Sequence, residues 1–265
     1  AEDEGLLTRL FSFRFDAGHG LRGHNFGNLF LTAMSQVTGD FGQAVRFSSE
    51  VLAIAGKIYP STASRVTLRA HLEDGKVVDG ETRISRSAAR IRRIELSPGD
   101  CRPLKETLKA IGEADLITMG PGSLFTSVVP NLLVKGIPQA IRRSQALKVC
   151  FINLMSQPGE TIGLTASDHV KAISEHAGMR LVDVAVINNE PVAAPARQRY
   201  ARQSAAPVEN DIETIRGMGV EVVSAPLVEP GEKIRHDPEA AALVALQLAK
   251  KGRRARLKRR RGGAS

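Results

Sequence analysis

A Gly-Pro-Gly-Ser turn closing an apolar run is where backbone atoms in this chain could first do chemistry. In "ADLITMGPGSLFTSVVPNLLVKGIP", Gly120, Pro121, Gly122 and Ser123 lead into Thr126 and Ser127. Glycines let a backbone come close to a phosphate, and the amides opening the next helix point toward it. The pattern has no lysine, and its spacing fits neither a P-loop nor Gly-x-Gly-x-x-Gly. A plain tight turn explains the glycines as well as an anion site does.

Three more polar stretches deserve the same question. In "NLMSQPGETIGLTASDHV", Asn153, Gln157, Glu160 and Thr161 crowd hydrogen-bonding groups behind another apolar run. Thr165 reads as a helix N-cap with Asp168 three positions on, so capping accounts for Asp168 without catalysis. No serine is marked as a nucleophile for the adjacent His169, and no triad assembles. In "INNE", Asn188 and Asn189 could read a sugar or a base, and ordinary turn formation explains them equally. In "RGHNFGN", His24, Asn25 and Asn28 precede a helix that Asn25 would cap. A glycine-flanked His-Asn pair there could also touch an anion. No spaced set of His and carboxylates accompanies it, so no metal site is expected. Nothing marks a catalytic group or a bound cofactor.

Regular elements must hold these loops. Residues 25–37 place Leu29, Phe30, Ala33, Met34 and Val37 on one helical face, ended by Thr38-Gly39. Asp40, with Gln43 three residues later as in a capping box, starts a second helix. Its inner stripe is Phe41, Ala44, Val45, Ser48 and Leu52, and the two predict a helical hairpin. The period then changes. Alternation over 64–84 around Asp74-Gly75 predicts a β-hairpin, with another short strand at 91–98. Pro103 opens a helix whose Leu104, Leu108 and Ile111 face inward.

From Asp115 the rhythm is strand, loop, helix. Strands are predicted at 115–119, 147–154, 181–187 and 220–224, with helices near 127–143, 166–177 and 209–217. Such alternation implies a largely parallel sheet, whose ligands bind beyond the carboxyl ends of the strands. Asp237-Pro238 starts an Ala-rich terminal helix, and residues 190–207 carry no period and predict a mobile connection or lid. The fold class is α/β, Rossmann-like, with helices flanking the sheet and a small β-hairpin insertion over about 57–98. One domain is expected over 1–249.

The net charge of +9 suggests a nucleic-acid partner until it is located. Residues 250–265, "KKGRRARLKRRRGGAS", hold nine of the 37 Lys and Arg and no acid. The rest of the chain therefore carries 28 basic and 28 acidic side chains and is formally neutral. A terminal run of like charge predicts a disordered, solvated tail, open to nonspecific contact with RNA or an acidic membrane surface. Cys101 and Cys150 lack Cys-x-x-Cys spacing or a histidine partner, which suits a reducing compartment. No apolar run approaches the ~20 residues a membrane span needs, and no signal peptide opens the chain. The expected setting is cytoplasmic.

The segments "GHNFGN", "TGDFGQAV", "GPGSLFTSVVPNLLV", "NLMSQPGETIGLTASDHV" and "RHD" occur here in the order seen in the gluconeogenesis factor family. The chain resembles these bacterial YvcK-type proteins of the CofD-like superfamily from about Phe11 to the helix after Asp237. The resemblance implies a nucleotide-diphosphate-binding fold. It further implies a nucleotide-sugar ligand, UDP-N-acetylglucosamine above others, and a regulatory role in cell shape and cell-wall control on gluconeogenic carbon. A homodimer is expected. By motif, Gly120 to Ser123 would meet the diphosphate, with Thr126, Ser127 and Asn153 close by. Distant relatives are 2-phospho-L-lactate transferases of deazaflavin cofactor synthesis, the alternative reading. Family members begin with a strand and a Gly-Gly-Gly-Thr-Gly loop, followed by an Asp-Asp-Gly-Gly-Ser-Ser-Gly segment that transferases associate with metal and substrate. None of these precedes Leu6, and Asn25 stands where serine is common. The departures count against catalysis and make the chain read as a fragment missing part of the nucleotide pocket.

Overall fold

The structure, a computed structural model, describes residues 2–51, 56–231 and 233–262. The chain divides into two compact units, residues 1–63 with 103–107 and residues 64–102 with 108–265. In the first, helix α1 (Glu2–Ser12) is followed by α2 (Phe26–Thr38) and α3 (Phe41–Val51). Gly39 ends α2 in the left-handed region at φ 68°, and Asp40 Oδ1 accepts from the Gln43 amide at 2.7 Å to start α3. Phe11, Phe26 and Phe30 pack ring against ring, with centroids 5.0 to 6.2 Å apart. The expected stripe on α2 needs correction: Ala33 is exposed and Val37 is 81% exposed, so the packed side is Phe26, Gly27 and Phe30. On α3, Ala44, Val45 and Ser48 are buried as expected while Phe41 is exposed, and Leu52 lies outside the described residues.

The second unit opens with a three-stranded antiparallel sheet. Strand β1 (Thr67–Leu72) pairs with β2 (Val77–Asp79) and β3 (Ile91–Ser97) in the order β2-β1-β3, with the short helix α4 (Glu81–Ile84) between β2 and β3. This is the predicted hairpin and its third strand. Helix α5 (Lys105–Glu113) then leads into four parallel strands, β4 (Leu116–Met119), β5 (Leu147–Phe151), β6 (Val184–Asn188) and β7 (Glu221–Ala225), paired in chain order. The chain is an α/β protein of Rossmann-like type.

Side-chain alternation along β5 and β6 feeds two cores. Cys150, Ile152, Ala185 and Ile187 face one, and Val149, Phe151, Val184 and Val186 face the other. With both faces covered, these strands read as continuous apolar runs, as central parallel strands do. Helices α6 (Val129–Leu132), α7 (Ile137–Arg143), α8 (Ala166–Ala177) and α10 (Ile212–Gly217) pack with the first core, which the antiparallel sheet extends. Helices α9 (Ala194–Ala201) and α11 (Pro238–Gly262) pack with the second.

Three expectations change. The helix near 127–143 is instead a π-helical turn (Leu124–Val128), α6 and α7, broken where Gly136 takes φ 98°. The segment 190–207 contains α9, held by buried Val192, Ala196 and Ala205. One small residue per turn anchors it, which is too little to leave a hydrophobic period. The basic tail continues α11 to Gly262. Its first half buries Ala241, Val244 and Leu248. Beyond that, Lys251 meets Glu221 at 2.6 Å and Arg256 meets Asp115 at 2.7 Å. These pairs explain why a run of like charge is helical here rather than solvated coil. No single described helix is long and apolar enough to cross a membrane.

Candidate functional site

The carboxyl ends of β4 and β5 open into a cleft of about 670 Å³. Its floor and one wall come from Gly122, Ser123 and Ser127 after β4 and from Asn153 to Pro158 after β5. Tyr200 of α9 and the Ile234-Arg235-His236 segment before α11 close the other side. A slightly larger cleft of about 710 Å³ lies in the first unit beside α3, and no predicted site residue lines it. The strand-end cleft is the candidate because chemistry and topology agree there.

The β4 loop is shaped by Gly120. Its φ is 83°, and an added Cβ would stand 3.2 Å from the Phe151 carbonyl oxygen, so only glycine fits without strain. Gly122 is different. A Cβ there would meet only Ser127 Cβ at 3.5 Å, an ordinary contact, so the fold itself does not demand glycine. Among the described residues, no protein acceptor takes the amide N–H of Gly122 or Ser123. The Ser123 carbonyl accepts from both the Ser127 and Val128 amides at 3.0 Å, which widens the following turn into π geometry.

A hydrogen-bonded chain fixes the β5 side. Gln157 Nε2 donates to Ser123 Oγ at 3.1 Å, and Asn153 Nδ2 donates to Gln157 Oε1 at 3.3 Å. Thr161 Oγ1 accepts from the Gln157 amide at 2.9 Å. Behind this wall sits Glu160, 7% exposed. Its Oε1 accepts from Thr126 Oγ1 at 2.9 Å and from Ser85 Oγ at 3.3 Å, whereas the buried Oε2 makes no close hydrogen bond among the described residues. Burial pushes this carboxyl above the usual range, against the pull of the Thr126 hydroxyl and the Phe125 and Thr126 amides. The N-terminus of the π turn therefore already holds an internal carboxyl. The earlier amides, those of Gly122 and Ser123, are left without a protein acceptor among the described residues.

His236 Nε2 donates to the Ile152 carbonyl at 3.2 Å, which fixes the proton on that nitrogen, and burial depresses its basicity. Arg235 lines the cleft, and its guanidinium has no hydrogen bond or ion pair among the described residues. Tyr200 Oη accepts from the Ile234 amide at 3.1 Å and so ties α9 to this rim. The sequence marks "RHD" only as part of the family resemblance and gives Arg235 and His236 no role. Their only signal is that motif, because a lone arginine in a loop has no local spacing to betray it.

The cleft gathers Gly122, Ser123, Ser127, Asn153 and Gln157 from the expected set. Gly120 shapes it, Pro121 is exposed, and Thr126 acts on Glu160. Asn188 does not line it: its Oδ1 accepts from the Glu190 and Leu227 amides, and its Nδ2 donates to the Glu190 carbonyl. The first unit holds His24, Asn25 and Asn28. There Asn25 Oδ1 accepts from the Asn28 amide at 3.1 Å, and Asn25 Nδ2 donates to the Phe11 and Phe13 carbonyls. The cap explains Asn25 completely. Asp168 likewise closes the capping box with Thr165, and His169 is 1% exposed with Nδ1 on the Thr165 carbonyl at 2.8 Å. Cys101 and Cys150 are buried free thiols, the latter pushed up to about 12 by burial. Among the described residues no three His, Cys, Asp or Glu gather as a metal site would require.

Fold and cleft together define a Rossmann-like α/β protein with a polar cleft at its strand ends. Comparison with known proteins narrows this. The CofD family (2-phospho-L-lactate transferase CofD) matches residues 1–228. The gluconeogenesis factor of Bacillus subtilis is 44% identical over 248 residues, 93% of this chain and 78% of that protein. A putative gluconeogenesis factor from Aquifex aeolicus is 42% identical over 252 residues, 94% and 76% of the two chains. A crystal structure of a UPF0052-family protein from Bacillus halodurans superposes with TM-score 0.85 at 42% identity, covering 91% of this chain and 77% of that one. The chain belongs to the CofD family, in its gluconeogenesis factor branch.

Proposed function

We propose that this protein is a regulatory binder of a nucleoside-diphosphate sugar of the UDP-sugar class, held in the cleft at the ends of β4 and β5. One observation carries the reading: Gly122 and Ser123, whose amides meet no acceptor among the described residues, line the same cleft as Arg235, whose guanidinium is unpaired among them. Two backbone donors and a guanidinium fork suit a pyrophosphate. The amide wall of Asn153 and Gln157 supplies donors and acceptors for a sugar. Family membership supports a gluconeogenesis-linked role, and the resemblance behind it suggests control of cell shape on gluconeogenic carbon.

Calorimetric titration with UDP-N-acetylglucosamine, UDP-glucose, GDP and ATP tests this. UDP-sugars should bind preferentially, and Arg235→Ala should weaken them by about tenfold or more, as loss of a charge-assisted pair does. Absence of heat with every UDP-sugar, on a chain shown folded by circular dichroism, removes the reading. The transferase alternative is favoured by the family description alone. It requires GMP release in a coupled assay with a guanosine-activated phospholactyl donor and a deazaflavin acceptor.

A further inference from the structure

We propose that the outward face of α11 is a docking surface for an anionic lipid bilayer. The inner side of this helix is fully used. Ala241, Val244 and Leu248 are buried in the second core, and Gly252 presses on the sheet, where an added Cβ would stand 3.0 Å from the Asp115 carbonyl oxygen. The opposite side is apolar and unpartnered: Leu243 is 59%, Leu246 58% and Leu257 48% exposed. Lys250, Arg253 and Arg254 are also exposed and meet no acidic partner among the described residues. With ~100° of turn per residue, these three leucines and three cations fall within one sector of about 100°. The acid on this side, Glu239, stands in the first turn, away from the cations.

Leucines interleaved with cations on one face is the composition of helices that lie in a membrane interface. The leucines enter the acyl boundary while long basic stems reach the headgroups. Other occupants fit less well. Nucleic acid gathers cations on phosphates but has no use for three exposed leucines, and no aromatic residue between Pro238 and Gly262 offers a base a stacking surface. A second copy would bring two acid-free runs of cations together. The helix is also a fixed one, pinned to the body by the Lys251–Glu221 and Arg256–Asp115 pairs, so the face is ordered before it meets a partner.

The test is flotation of the full chain with vesicles of phosphatidylcholine, alone or mixed with phosphatidylglycerol. Binding is expected only to the mixed vesicles, with release near about 0.5 M salt, where the Debye length shrinks to a few ångströms. The double variant R253E/R254E should weaken binding by at least about tenfold, since each cation at the surface is worth roughly fivefold. L246S/L257S, with the charge intact, should weaken it by a similar factor. No flotation overturns the proposal, and so does wild-type flotation by the leucine variant, which would mean charge alone. Tighter binding to duplex RNA than to vesicles overturns it, as does a dimer in sedimentation that L246S/L257S dissolves. Should circular dichroism show a double variant unfolded, K250E and L257S singly must each reduce flotation, and unchanged flotation in either overturns the proposal.

Discussion

Gly120 and Gly122 sit two residues apart and do opposite work. At Gly120 the backbone is left-handed and the Phe151 carbonyl leaves no space for a side chain. At Gly122 neither holds, and the residue lines the cleft. Gly120→Ala should therefore destabilise the fold by about 1–3 kcal/mol, visible as a lower melting temperature. Gly122→Leu should leave the melting temperature within about 2 °C yet reduce nucleotide-sugar affinity by about tenfold or more, because its side chain fills the space beside the free amides. If the Leu variant binds as well as wild type, those amides are not the contact. The same distinction separates the asparagines. Residue type marks Asn25, Asn153 and Asn188 as equal candidates, but only the fold reveals which donors are already engaged. Asn25 and Asn188 hold backbone groups, and Asn153 lines the cleft.

Among the elements, α11 depends on a single small residue where it crosses the sheet. Gly252 lies in the middle of the helix, where glycine is ordinarily about 1 kcal/mol worse than alanine. It is kept small by the Asp115 carbonyl at 3.0 Å and Leu147 Cβ at 3.1 Å from where a Cβ would stand. Gly252→Val should free the distal half of the helix, destabilising the chain by about 1–3 kcal/mol. Limited trypsin digestion should then cut at Lys250–Arg256 well before the body is attacked, and equal protection of both proteins would refute the packing argument. This contact also explains what was legible beforehand. The sequence reading places α8 at 166–177, as observed, because Thr165, Asp168 and Gly178 mark its ends locally. All four parallel strands are foreseen from their apolar runs. What composition alone cannot reveal is rescue by distant residues. The basic helix rests on Asp115 and Glu221, far earlier in the chain, and α9 rests on a core built mainly by β5 and β6. Arg235 joins the Gly122 loop only after three further strands have been laid down.

For the whole molecule, buried titratable groups set how stability responds to acid. His169, His176 and His236 are all held below the usual imidazole range, chiefly by burial. His169 has no acceptor at Nε2 among the described residues to welcome a proton, and His176 Nε2 already accepts from the Ile94 amide at 3.0 Å. A depressed histidine leaves the unfolded chain with more bound protons. Its contribution is complete above about pH 6.5, the unfolded value, and is lost as pH falls through the lower folded value. Asp168 and Asp211 are also depressed: burial opposes their ionisation, but hydrogen bonds at the start of α8 outweigh it. They withdraw stability further down, below the ordinary carboxylate range. Glu160 has the opposite sign. Its raised folded value makes burial of the charge a penalty that sets in above about pH 4.5 and is relieved when the folded carboxyl takes its proton. Three imidazoles then outweigh one carboxyl, so the melting temperature should decline from about pH 7 toward pH 5, at roughly 1.4 kcal/mol for each unit of pKa difference per group. Thermal unfolding of wild type, His169→Gln and Glu160→Gln across that range separates the contributions. His169→Gln should flatten the slope whatever it does to absolute stability. Glu160→Gln should gain on wild type at neutral pH, with the gap narrowing toward about pH 4.5. A melting temperature that holds level or climbs on acidification would mean that these imidazoles charge freely in the folded state, contrary to their burial.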